Sequence, residues 1–169
     1  MIDHFLMFAH YNAWANGRLY DAVAALDDAA YRADRGAFFK SVHGTLNHLL
    51  VTDCIWLGRF TGEGGPGYRL DAILFQDFDA LRRARVAQDQ AILDYVAGLD
   101  AAALEADIRY RRVVDNDDVR QPLAQALAHL FNHQTHHRAQ VHTILTGLGA
   151  EGPELDLLAY QRLRAAGRA

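Results

Sequence analysis

The chain has 169 residues, 51% of them apolar and 22% charged, and a net charge of −4. That length fits one domain, residues 1–169, built around a single core. The acidic balance leaves no basic surplus to release counterions from phosphates, which speaks against a nucleic-acid partner, and no apolar run nears the ~20 residues needed to span a membrane.

The lone cysteine, Cys54, rules out an intrachain disulfide; set among Val51, Ile55 and Leu57, it reads as a small buried apolar residue. The Arg83/Arg85 and Arg109/Arg111/Arg112 clusters read as solvated faces. The opening Met1-Ile2-Asp3-His4 lacks the basic start of a signal peptide, so the expected compartment is the cytoplasm.

In chain order, residues 2–27 place Phe5, Phe8, Asn12, Ala15, Leu19, Val23 and Leu26 three and four apart, a helical stripe. Asp34-Arg35-Gly36 breaks the pattern, and a second helix spans 39–61 on Val42, Leu46, Leu49, Trp56 and Phe60, with Ser41 as its N-cap. The run Gly62-Glu63-Gly64-Gly65-Pro66-Gly67 is a loop. A third helix covers 76–99 on Phe78, Leu81, Ile92, Tyr95 and Leu99. Residues 107–119, with Ile108–Arg111 followed by Val113-Val114 and an Asp/Asn cluster, read either as a short hairpin or as a long crossing loop. The fourth helix opens at Gln121-Pro122, where proline suits the first turn, and runs to Gly147/Gly149. A short helix from about Glu154 to Ala165 closes the chain. Four long amphipathic segments and almost no alternation make this an all-α chain, an antiparallel helical bundle with a short fifth helix.

Five of the nine histidines fall between 129 and 142. At 100° per residue His133 and His137 lie about 40° apart and roughly 6 Å along the axis, so two imidazoles can address one ion, as paired histidines do in zinc motifs. Spacing does not choose among 129/133, 133/136 and 133/137. Alignment with Ala126, Leu130, Val141 and Ile144 favours 133/137 and turns these side chains toward the bundle interior. There, imidazoles meet either a metal or internal hydrogen bonds. His129, one turn earlier, is a candidate extra or outer ligand. His48, in a row with Ser41, Thr45 and Thr52, supplies a third donor from a facing helix. Asp53, about 140° around from His48, pairs with an inward arginine or caps a helix rather than joining the ligands. The Tyr11/Asn12/Asn16 face either lines a pocket or holds helices together.

Three stretches carry a family resemblance: Tyr11–Asn16, Ser41–His48 with Asp53 and Trp56 beyond it, and Leu130-Phe131-Asn132-His133-Gln134-Thr135-His136-His137-Arg138-Ala139-Gln140. In order and separation they resemble the DinB family of metal-binding four-helix bundles, with Ala139 where relatives usually carry glycine. The resemblance implies an up-up-down-down bundle, a homodimer, and one divalent ion, nickel or zinc, held by His48, His133 and His137. Three ligands leave a coordination position for water or substrate, and imidazoles do not identify the ion. Some relatives are transferases or isomerases that depend on a low-molecular-weight thiol. A metal-dependent thiol transferase is therefore the expected activity. A non-enzymatic metal-binding stress-response protein is the competing class.

Overall fold

The computed structural model describes residues 1–168. Its helices are α1 (Ile2–Val23), α2 (Asp28–Arg32), α3 (Val42–Thr61), α4 (Phe78–Ala97), α5 (Ala101–Glu105), α6 (Leu123–Gly147) and α7 (Leu157–Ala165), with an antiparallel pair β1 (Asp107–Arg111) and β2 (Asp118–Pro122). The helix starts follow side-chain chemistry: Asp27, Ser41, Asp77 and Asp100 each accept the amide three residues on, which satisfies one of the donors a helix N-terminus leaves free. α3 stops where Gly62 turns left-handed at φ 77°. No helix among the described residues is long and apolar enough to cross a membrane.

The four long helices pack as α1 against α4 and α6, and α3 against α4 and α6. Side-chain pairs give their directions. Asn12 meets Asp89 while Asp21 meets Arg82, so α1 and α4 are antiparallel. Phe8 stacks on Phe131 and Asn16 meets Arg138, so α1 and α6 run parallel. Trp56 lies by His129 and His48 by His137, so α3 and α6 are antiparallel. The bundle is therefore up-down-down-up, and the expected up-up-down-down order does not hold. α1 ends and α3 begins at the same end of the bundle, where Val23, Tyr31 of α2 and Val42 share one core. α3 then descends, and the long 62–77 loop climbs back so that α4 descends beside it.

Two apolar cores fill the ends. One gathers Phe5, Trp56, Phe60, Ile92, Val96, Leu127 and Phe131; the other gathers Leu19, Tyr20, Leu46, Leu50, Leu81, Val141 and Leu145. Between them lies a buried polar layer. Arg85, 2% exposed, meets Asp53 at 2.7 Å and Asp89 at 2.9 Å. Asn12 and Asn16 donate to Asp89, Arg138 donates to both asparagines, and Gln134 donates to Asp53 at 2.6 Å. Asp53 thus pairs with an inward arginine, as expected, and Asn12 and Asn16 hold helices together. Arg85 contradicts the solvated-face reading, whereas its neighbour Arg83 is exposed. Burial pushes the Asp53 carboxyl up, with Arg85 and Gln134 pulling it back. Despite the burial that lowers it, Arg85 is held above the usual arginine range by Asp89 and Asp53. Charges this deep persist only when paired.

The hairpin alternative for 107–119 holds in substance. The partner strand, 118–122, follows the Asp/Asn cluster and extends past residue 119, so Gln121-Pro122 end a strand and α6 starts at Leu123.

Candidate metal centre

His48 on α3 and His133 and His137 on α6 come together: one nitrogen from each lies within 4.8 Å of the others. His48 Nε2 and His133 Nε2 are 3.3 Å apart. The centre is not on the bundle axis. Gln134 and Arg138, 0% and 2% exposed, hold the inward line of α6; His133 and His137 stand one edge away, in the seam between α3 and α6. His48 and His137 are nevertheless buried and His133 half-buried, because loops cover the seam.

Phe39, from the turn before α3, stacks on His48 with ring centres 3.7 Å apart and lies 5.5 Å from His137. That turn sits close because Gly44 has no side chain: a Cβ there would stand 2.2 Å from the Phe39 carbonyl oxygen. The loop after Gly67 crosses the other side, where the Leu70 carbonyl accepts from His48 Nδ1 at 2.7 Å. Asn47 secures this loop by accepting from the Phe75 amide and donating to the Phe75 carbonyl. His43 Nε2 lies 3.0 Å from the same carbonyl.

These partners fix tautomers. A carbonyl only accepts, so His48 carries its proton on Nδ1 and turns the lone pair of Nε2 into the cluster. His137 Nδ1 lies 2.8 Å from Gln140 Oε1, which likewise leaves Nε2 free. Such outer hydrogen bonds are the ones that orient imidazoles at metal sites. His133 differs, since its buried Nδ1 has no hydrogen-bond partner. Burial lowers the pKa of His48 to about 4, with the Leu70 carbonyl resisting and His137 adding to the fall. Burial, then the neighbouring imidazoles, take His133 to about 3. His137 is also lowered, first by burial. The cluster is therefore neutral at pH 7, the protonation state in which imidazole binds metals.

His129 and His136 flank the cluster without entering it. His129 lies against Trp56 with ring centres 5.0 Å apart, and 5.8 Å from His133. His136 is exposed and meets the Gln140 amide at 3.3 Å. Cys54 is half-buried, with its thiol 3.4 Å from Gln88, and belongs to the α3–α4 contact rather than to the histidines. The Phe39 stack and the Leu70 carbonyl carry no signal in the sequence. Only Gln140 left a trace, one helical turn beyond His137.

A cavity of about 330 Å³ opens beside His48 and His133 and is walled by Trp56, Arg59, Tyr110 and Gln121. The cluster is thus covered on the Phe39 side and reachable on the hairpin side.

The chain is 22% identical over 175 residues to Protein DinB of Bacillus subtilis (strain 168), covering 95% of each. The DinB family model matches residues 1–168, and the chain belongs to the DinB family.

Proposed function

We propose that the protein binds one divalent ion, zinc or nickel, through Nε2 of His48, His133 and His137, and uses it as a metal-dependent thiol transferase. The observation that carries the reading is the combination of three converging neutral imidazoles with a cavity on one side only. Structural zinc sites are closed by four protein ligands, whereas three ligands with an open position belong to catalytic ones. A bound ion would act as a Lewis acid and lower the pKa of a thiol placed in that position. The chain's own part is to hold the imidazoles in one tautomer through Leu70 and Gln140, and to exclude water from the covered side with Phe39. It also admits the substrate past Trp56 and Tyr110. Ligation through His133 Nε2 would leave the proton on Nδ1, which is buried and has no hydrogen-bond partner.

The test is metal content of untagged protein by mass spectrometry, beside His48→Ala and His137→Ala variants. About one ion per chain, lost in either variant, supports the site and justifies screening thiol-dependent transfers. No metal after reconstitution with zinc and with nickel refutes it. A metal-loaded protein that binds no thiol would instead support a non-enzymatic metal-binding role.

A further inference from the structure

The hairpin side of the site is distinctly cationic. A second cavity of about 500 Å³ lies between the 62–67 loop and β1, and it shares Ile55, Arg59, Tyr110, Arg112 and Val113 with the cavity beside the histidines. Arg59, Arg109, Arg111 and Arg112 line the pair, and no aspartate or glutamate does. Arg111 and Arg112 have carboxylates nearby, Asp118 and Asp115. Arg59 and Arg109 have no ion-pair partner among the described residues.

Arg59 stands at the junction of the two cavities. Its guanidinium lies 4.6 Å from the Trp56 ring centre and 4.2 Å from that of Tyr110, and Nη2 donates to the Arg111 carbonyl at 3.3 Å. Those contacts fix the plane of a group with five N–H donors and leave most of them unused. Burial, together with the nearby charge of Arg112, weakens its hold on the proton, and Tyr110 opposes this. An unpaired, half-buried and rigid cation is the arrangement that gains most from an oxyanion, because the ordering cost is already met. The facing wall is backbone: Gly62, Gly64 and Gly67 carry left-handed φ values of 77°, 79° and 68° with open space where a side chain would stand. Gly58 lets the loop close on α3, since a Cβ there would lie 2.3 Å from the Gly64 oxygen.

We propose that Arg59, assisted by Arg109, is an anion subsite beside the histidine cluster, so that the molecule engaged at the cluster carries a carboxylate or phosphate. The thiol arm of this inference rests on the proposed function; the anion arm does not. Arg59 is a recognition residue, and its role is to select charged over neutral substrates of equal length.

The test compares 3-mercaptopropionate with 3-mercapto-1-propanol, which differ at the carboxylate, by titration calorimetry on zinc-loaded protein. Succinate and inorganic phosphate are titrated against metal-free protein. The expected result is at least tenfold tighter binding of the mercaptopropionate, falling to within threefold in Arg59→Gln and partly in Arg109→Gln, with zinc content unchanged. Succinate or phosphate binding that Arg59→Gln abolishes supports the subsite, and the better of the two names the anion. Should Arg59→Gln not fold, the exposed Arg109→Gln carries the comparison. Equal binding of the two thiols, or a preference that survives both variants, overturns the proposal and leaves the thiol reading standing. If neither thiol binds while succinate binds through Arg59, the thiol reading fails and the subsite stands.

Discussion

Arg85→Met should be the most damaging single change outside the histidines, and its cost follows from the polar layer. Methionine keeps the aliphatic stem but removes the cation between Asp53, 0% exposed, and Asp89, 6% exposed. Breaking a buried pair by deleting one partner costs about 3–5 kcal/mol, since a charge stays uncompensated. For a domain of this size that corresponds to roughly 6–20 °C in melting temperature. The loss must depend on pH. Burial already holds the Asp53 carboxyl above its ordinary range with Arg85 pulling it down, so removing Arg85 raises it further. A carboxyl whose folded pKa exceeds its unfolded value destabilises the fold progressively as pH rises through that interval. Denaturant midpoints at pH 8 and pH 5 should therefore show a smaller loss at pH 5, and Asp53→Asn added to Arg85→Met should recover part of the loss at pH 8. A cost below about 1 kcal/mol at pH 8, or one equal at both pH values, would refute the view of Arg85 as the neutralising centre of the core.

Metal-free protein should lose stability as pH falls from 6.5 toward 4. The unfolded chain takes up protons on His48 and His133 in that range, while the folded state, with values near 4 and 3, does not. The effect by pH 5 should be about 1–3 kcal/mol in the denaturation midpoint, shrinking in His133→Asn; a flat profile would contradict the burial argument. Gln140→Leu removes the acceptor of His137 Nδ1 and should weaken zinc about 10-fold or more with little change in stability. Competition with a chromophoric chelator reads this, and unchanged affinity would deny Gln140 an orienting role. Gly44→Ala ordinarily favours a helix by up to ~1 kcal/mol, but its Cβ would meet the Phe39 carbonyl. It should instead destabilise and loosen zinc together, and a gain in melting temperature would show that the turn is not pinned there.

Helix positions were legible because they rest on periodicity and caps that act locally: Ser41 caps α3 through the Gly44 amide as its residue type suggests. The ligand trio was legible because two of its members are four apart on one helix and the third lies in a motif shared with a family. Helix direction was not, since it depends on whether a connection stays at one end, as the segment with α2 does, or climbs back along the bundle, as the 62–77 loop does, and composition does not encode that difference. Arg85 was misread for a related reason. Leu81, Arg85, Asp89, Ile92 and Val96 all lie on the buried face of α4, and the spacing was present. A charge on such a face is recognisable only once its partners, Asp53 and Asp89, are known. The Leu70 carbonyl leaves no sequence signal at all, because any residue supplies one.

The polar layer and the histidine cluster use neighbouring faces of the same two helices, and this gives the charge buried in the middle of the bundle a positioning role. On α6, Gln134 and Arg138 alternate with His133 and His137; on α3, Asp53 follows His48 by five residues. The Gln134–Asp53 bond at 2.6 Å and the Arg85–Asp53 pair tie α6, α3 and α4 across the axis. Apolar packing tolerates small rotations of one helix against another, but a directional bond between buried groups does not. Metal ligation requires placement within about 0.5 Å and 10–20°, and rotation of α6 by that amount would separate His133 and His137 from His48. Asp53 therefore serves the site without touching it. Asp53 Oδ2 engages both Arg85 and Gln134 on the axis side of the helices, and the carboxylate is not among the donors that converge with the three histidines.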